Sequence, residues 1–326
     1  MAHPFVNADL LDLAPLPPGS IEGLFGLAAR MKADLGPWRT ALDGKTFVML
    51  FEKPSLRTRV SFEAGIGKLG GRAIYLDHGT QRLGERESVA DYGKNLERWV
   101  DAIIARVFKQ TVIEELAAAS RVPVINALSD RFHPCQALAD LFTLAERFGS
   151  TTPQGISLRG RGVKIAYVGD GNNVCHSLMQ CATKLGVSTT VVTPKGYEPA
   201  ADVSAACTQY AAASGCKLVI SNDVAAAEAS HAVYTDVWVS MGQSDQAVAR
   251  HKAFMPYQVN AALMDIASKG LSARALFMHC LPAQRGVEVT DEVIDSPSSV
   301  VYDQAENRMH AQNALLVEML GAGTGE

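Results

Sequence analysis

The run Phe51-Glu52-Lys53-Pro54-Ser55-Leu56-Arg57-Thr58-Arg59-Val60-Ser61-Phe62-Glu63 sets two hydroxyls and two arginines where an apolar stretch gives way to a helical one. Backbone N–H groups at a helix N-terminus, with arginines beside them, form a site for an oxyanion such as phosphate. The same residues also suit a capped helix with two surface arginines, because Ser and Thr are common caps. A second run, His133-Pro134-Cys135-Gln136, opens another helical stretch. A His and a Gln three positions apart can face one small ligand, donating to a carbonyl oxygen and accepting from an NH2. A single buried His is more often structural, so the weight lies in the pairing. Arg106 ends the apolar run 102–106, and a charge there is costly to bury without a partner.

The second half carries Val168-Gly169-Asp170-Gly171-Asn172-Asn173-Val174 directly after an apolar run. A Gly-x-Gly after a strand raises dinucleotide binding, but Val174 stands where the third glycine belongs. No acidic residue ends the following strand to hold a ribose hydroxyl, so that reading fails. Further on, Asp236-Val237-Trp238-Val239-Ser240-Met241-Gly242 offers a carboxylate for an ammonium group and a glycine turn whose amides suit a carboxylate. His279-Cys280-Leu281-Pro282 puts a thiol beside a His, which by itself suggests a nucleophile.

Such residues must be presented at strand ends. Apolar, β-rich runs predict strands over 46–51, 73–76, 102–106, 122–126, 163–168, 189–193, 217–220, 233–239, 275–278 and 300–302. Helical periodicity lies at 21–31, 58–69, 88–100, 112–119, 135–148, 174–185, 202–213 and 305–320. Alternation of this kind predicts an α/β fold, two domains each built on a parallel sheet covered by helices. The Gly-, Ser- and Thr-rich stretch 149–162 marks the boundary. The expected division is 1–150, 151–304, and a terminal helix in 305–326 packing back on the first domain. Ligands of such sheets bind beyond the carboxyl ends of the strands.

Composition removes several classes of function. A charge of −4 over 326 residues provides no field for nucleic acid. With 48% hydrophobic and 20% charged residues, the chain is globular rather than disordered. Six cysteines without a Cys-x-x-Cys pair or metal-ligand spacing fit packing roles in a reducing compartment. The N-terminus lacks a signal-peptide pattern, and no uncharged apolar run approaches the roughly 18 residues of a membrane span. The expectation is a cytoplasmic protein.

Ser55-Leu56-Arg57-Thr58-Arg59 resembles the Ser-x-Arg-Thr-Arg signature of the aspartate and ornithine carbamoyltransferase superfamily, and His133-Pro134-Cys135-Gln136 resembles its His-Pro-x-Gln signature. Asp236 with Ser240-Met241-Gly242, and His279-Cys280-Leu281-Pro282, are similar to segments of the ornithine carbamoyltransferase branch. The resemblance implies that Ser55, Leu56, Arg57 and Thr58 cradle the phosphate of carbamoyl phosphate, with Arg57 as the main charge. It implies that Arg106, His133 and Gln136 hold the carbamoyl group, that Cys280 and Leu281 contact it and the attacking amine, and that Arg308 reaches back to carbamoyl phosphate. Asn173, Asp236, Ser240 and Met241 would bind ornithine, under a loop after Gly242 that closes over it. The catalytic set so implied is Arg57, Arg106, His133, Asp236 and Cys280, with no metal and no cofactor required; the resemblance also argues against Cys280 as a nucleophile, since direct amine attack needs no covalent intermediate. Leu56 departs from the Thr common in relatives, which leaves only its backbone N–H for the phosphate. Arg82 stands where relatives often carry Gln or His, in a loop that reaches a neighbouring subunit's site; a solvated loop arginine is the other reading. The family expectation is a homotrimer, or a multiple of trimers, with sites at subunit interfaces, acting in arginine metabolism. Acetylornithine, putrescine and aspartate remain as other acceptors, and an inactive anion-binding relative as the non-catalytic reading.

Overall fold

The computed structural model describes residues 5–239 and 244–321. The chain divides into two compact units. The first comprises residues up to 142, 151–156 and from 307 onward; the second comprises 143–150 and 157–306.

In chain order the elements begin with α1 (Pro18–Ala33), β1 (Thr46–Phe51), α2 (Leu56–Lys68), β2 (Arg72–Asp77) and α3 (Val89–Leu96). They continue with β3 (Ala102–Arg106), α4 (Gln110–Ala119), β4 (Val124–Leu128) and α5 (Pro134–Phe148). The first unit's sheet has the order β2-β1-β3-β4, and its strand pairs are parallel. β1 and β3 are buried on both faces, which is why they read as unbroken apolar runs in the sequence. Val48, Leu50, Ile103 and Val124 meet Ile113 and Leu116 of α4 in one core cluster.

After a short two-stranded sheet, β5 (Ser150–Thr152) with β6 (Gly155–Ser157), come β7 (Lys164–Val168), α6 (Asn173–Lys184), β8 (Ser188–Val192), α7 (Ala201–Ser214), β9 (Leu218–Ser221) and β10 (Ala232–Thr235). Then follow α8 (Ala247–Phe254), α9 (Ala261–Ser268), β11 (Leu276–His279), α10 (Asp291–Ile294) and α11 (Val301–Leu320). The second sheet is parallel with the order β11-β10-β7-β8-β9. Val168, Val233 and Phe277 pack with Leu263 and Met264 of α9.

Both orders contain a switch point. In the first sheet the chain leaves β1 toward β2 and then crosses to β3, so β1 and β3 diverge. In the second, β7 runs out to β8 and β9 and then back to β10. Crevices form at the carboxyl ends of such diverging strands.

Several expectations fail locally. The strand expected over 233–239 stops at Thr235, where its pairing with β11 ends at His279, and Asp236 just beyond turns its carboxylate to backbone and side-chain donors. The strand expected over 300–302 is the start of α11. Val300 precedes the helix and donates its N–H to the Phe277 carbonyl of β11, while Val301 is buried in the first turn, so tertiary packing overrides the β propensity of the valines. The 149–162 stretch holds β5 and β6, and α8, α9 and α10 lie where no helix was expected.

Candidate active site

The first switch point gathers residues from four separate segments. Ser55 caps α2 by accepting from the Thr58 N–H at 3.3 Å. The N–H groups of Leu56 and Arg57, in the helix's first turn, lie where no intrahelical acceptor exists. The side chain of Leu56 is 73% exposed, so only its backbone can serve an anion there. Arg57 is half-buried. Thr58 is fully buried, and its hydroxyl accepts from Arg308 Nη2 at 2.7 Å. The same Nη2 lies 3.1 Å from His133 Nε2.

That contact assigns the tautomer of His133. A guanidinium only donates, so Nε2 accepts and the ring's proton sits on Nδ1. Burial, then the positive charges of Arg308 and Arg106, hold the imidazole well below its ordinary range, so it is neutral. Arg106 ends β3 and is buried. Gln136, on the first turn of α5, is buried as well. Pro134 opens that helix in the position where its missing N–H costs nothing. Cys135 is inert packing: burial pushes its thiol up to about 12.

Beside this cluster lies a layer the sequence did not announce. The buried carboxylate of Glu52 accepts from the Leu83 N–H at 2.8 Å and the Phe108 N–H at 2.7 Å. It thereby ties the 78–88 segment and the end of β3 to the end of β1. Lys53 Nζ lies 4.4 Å from the Phe108 ring centre, and the Arg82 guanidinium 4.2 Å from it. Burial, then repulsion from Arg106, lowers the Lys53 ammonium to about 8. Arg82 is thus placed on a ring of its own chain.

The second switch point is built around a carboxylate. Asp236, just past β10, is buried. Its Oδ2 accepts from Asn172 Nδ2 at 2.8 Å, and its Oδ1 from the Val237 N–H at 2.8 Å and the Cys280 thiol at 3.0 Å. No ion pair of Asp236 occurs among the described residues. Asn172 caps α6, accepting from the Val174 and Cys175 N–H groups and from the Tyr167 hydroxyl. Asn173 is the first residue of that helix. Gly171 is required sterically, since a Cβ there would lie 2.3 Å from the Pro199 nitrogen. Leu281 has φ +57, uncommon for a residue with a side chain, and its N–H donates to His279 Nδ1 at 2.8 Å. His279 Nε2 meets the fully buried Glu288 at 3.2 Å. Asp236, His279 and Cys280 place one ligand-type atom each within 4.8 Å. Both nitrogens of that His are already engaged by Leu281 and Glu288.

Of the expected residues, Ser55, Thr58, Arg106, His133, Gln136 and Arg308 belong to the first unit, together with Leu56, Arg57 and Arg82. Asn173, Asp236, Cys280 and Leu281 belong to the second. Ser240 and Met241 lie outside the described residues. Sequence reasoning missed Asn172, although it adjoins Asn173. It also missed the buried pair Asp170–Arg250 at 2.9 Å, whose arginine further donates to the Trp238 carbonyl at 3.0 Å. Its partners are 80 positions apart, and no local pattern links them.

Comparison with known proteins divides the chain near the same point, although its second match takes in residues 307–319, which pack with the first unit. The family profile described as "Aspartate/ornithine carbamoyltransferase, carbamoyl-P binding domain" matches residues 8–146. The one described as "Aspartate/ornithine carbamoyltransferase, Asp/Orn binding domain" matches 161–319. The chain is 52% identical over 309 residues to the ornithine carbamoyltransferase of Shewanella oneidensis, covering 95% of this chain and 98% of that protein. It is 49% identical over 316 residues to that of Pyrococcus horikoshii, covering 96% of each. The solved ornithine carbamoyltransferase of Pyrococcus furiosus superposes with a TM-score of 0.89 at 47% identity, covering 97% of this chain and 98% of that one. With parallel α/β units, both strand-end clusters and relatives matched along nearly their full length, the chain belongs to the aspartate/ornithine carbamoyltransferase family.

Proposed function

We propose that this protein transfers the carbamoyl group of carbamoyl phosphate to the δ-amine of L-ornithine, giving L-citrulline and phosphate. The observation that carries the choice of acceptor is Asp236, a buried carboxylate held by three neutral donors and by no cation among the described residues. A buried carboxylate is unfavourable without a positive partner, and the α-ammonium of an amino acid supplies one. The relatives named above carry the same activity in their names.

Carbamoyl phosphate binds at the first switch point. The first-turn amides of α2, with Arg57 and the Ser55 and Thr58 hydroxyls, take the phosphate. Arg308 bonds two neutral acceptors, Thr58 and His133. A phosphate makes a stronger, charge-assisted partner and draws the guanidinium to itself. Arg106 and His133 polarise the carbonyl, and Gln136 accepts from the carbamoyl NH2. Once Arg308 leaves Nε2 for the phosphate, the neutral imidazole is free to carry its proton on Nε2 and aids by donating a hydrogen bond rather than as an acid. The neutral δ-amine attacks the carbonyl carbon, the oxyanion of the tetrahedral species is met by those donors, and phosphate leaves with the C–O bonding pair and takes up the proton that the attacking nitrogen sheds.

A homotrimer, with the Arg82 loop serving a neighbouring copy, accompanies this reading. Its support is an apolar face on adjacent elements of the first unit. Leu56 (73% exposed) and Val60 (52%) lie on α2, and Ile74 (43%) and Leu76 (37%) on the edge strand β2. An uncovered edge with apolar side chains invites a second copy.

The test is citrulline formation with ornithine, acetylornithine, putrescine and aspartate as competing acceptors, in wild type and Asp236→Asn. Ornithine should be strongly preferred, and Asp236→Asn should cripple its use while carbamoyl phosphate still binds. Equal use of ornithine and acetylornithine, or a fully active Asp236→Asn, would remove ornithine as the substrate.

A further inference from the structure

Gln136 is 2% exposed, and its Nε2 donates to Asp140 Oδ1 at 2.6 Å, one turn along α5. Its Oε1 is buried and has no hydrogen-bond partner among the described residues. A side-chain amide has an accepting end and a donating end of nearly the same shape. An isolated Gln136 would therefore offer either end to a ligand. Asp140 is fully buried, and as a carboxylate it only accepts, so it takes the NH2 end and leaves the oxygen for whatever binds.

We propose that Asp140 is a positioning residue that locks the Gln136 amide oxygen toward the acyl substituent of the bound acyl phosphate, so that the site demands an N–H there. Carbamoyl phosphate supplies that N–H; acetyl phosphate, with a methyl group in its place, leaves the buried oxygen unpaired. The inference rests on the proposed role of Gln136 and adds the residue that gives it direction. Leaving a buried acceptor unmatched is costly enough to reject an analogue by well over tenfold. Replacing Asp140 by Asn removes the bias, because an amide at that position can accept from Nε2 or donate to Oε1. Replacing Gln136 by Glu in that variant restores it with the partners exchanged. The amide N–H introduced at position 140 then binds one oxygen of the new carboxylate, and its other oxygen accepts from the carbamoyl group.

The experiment measures the KM for carbamoyl phosphate in citrulline formation against the inhibition constant of acetyl phosphate. It uses wild type, Gln136→Ala, Asp140→Asn and the Gln136→Glu/Asp140→Asn pair, each checked for folding by thermal denaturation. Asp140→Asn should raise the KM about tenfold, the loss of one buried hydrogen bond, with the acetyl phosphate constant unchanged or lower. The double variant should recover most of the selectivity. A merely structural Asp140 would weaken both ligands together and gain nothing from the exchange. If Gln136→Ala loses selectivity while Asp140→Asn keeps it, the inference is overturned and the reading of Gln136 stands. If Gln136→Ala keeps wild-type selectivity, the reading itself falls and the inference with it. Should Asp140→Asn not fold, the double variant decides: restored selectivity supports the lock, and its absence overturns it.

Discussion

Single side chains in this protein are set by what their partners can donate or accept. Arg57 stands in the first turn of α2, where the helix's free amides also lie. If both serve one phosphate, Arg57→Ala removes a partner of a desolvated charge, typically roughly 2–5 kcal/mol. Carbamoyl phosphate affinity or turnover should then drop at least about tenfold; both unchanged would end its assignment. Lys53 allows a second prediction at this scale. Its ammonium titrates at about 8 in the folded chain against 10.5 for the free side chain, chiefly through burial. Between those values the unfolded chain binds the additional proton, so folding stability should rise with pH across that window. Denaturant titrations from pH 7 to 10.5 should show the rise in wild type and a flatter curve for Lys53→Met. Identical slopes would mean that Lys53 is not desolvated.

At the scale of elements, the site depends on turns that bring a strand end and a helix start close together. The β7–α6 turn does so through Gly171, packed against the backbone of 197–199, and through Asn172, which caps the helix and holds Asp236 at once. A methyl group at 171 must displace one of these backbones, a strain of about 1–3 kcal/mol for overpacking. Gly171→Ala should lower the melting temperature and raise the KM for ornithine, with the KM for carbamoyl phosphate less affected. Unchanged melting and ornithine KM would show that the turn relaxes freely.

For the whole molecule, the placement of Arg82 bears on whether one chain makes one site. Arg82 lies on Phe108 of its own chain, fastened through Glu52. The apolar face of α2 and β2 gives a second copy somewhere to sit. If the Arg82 loop serves a neighbour, Arg57→Ala chains mixed with chains lacking 80–85 should regain activity, since one interface then pairs an intact cradle with an intact loop. Verified hybrid oligomers without recovery would show that each chain works alone.

What the sequence determined by itself is whatever is local or periodic. β1 and β3 match their expected spans because buried parallel strands are unbroken apolar runs. Ser55-Leu56-Arg57-Thr58 and His133-Pro134-Cys135-Gln136 were legible because a helix start gathers neighbours in sequence into neighbours in space. The tertiary structure decided the partners. Arg308 meets Thr58 across 250 positions, and Asn172 meets Asp236 across 64. Those separations are closed by strand order, which no local pattern encodes. The tautomer of His133 follows from one such contact, with Arg308. Even the Gln136–Asp140 pair, one helical turn apart, acquires its meaning only when burial removes water as an alternative partner for both. In water either end of that amide would be satisfied; in the folded chain only one orientation is.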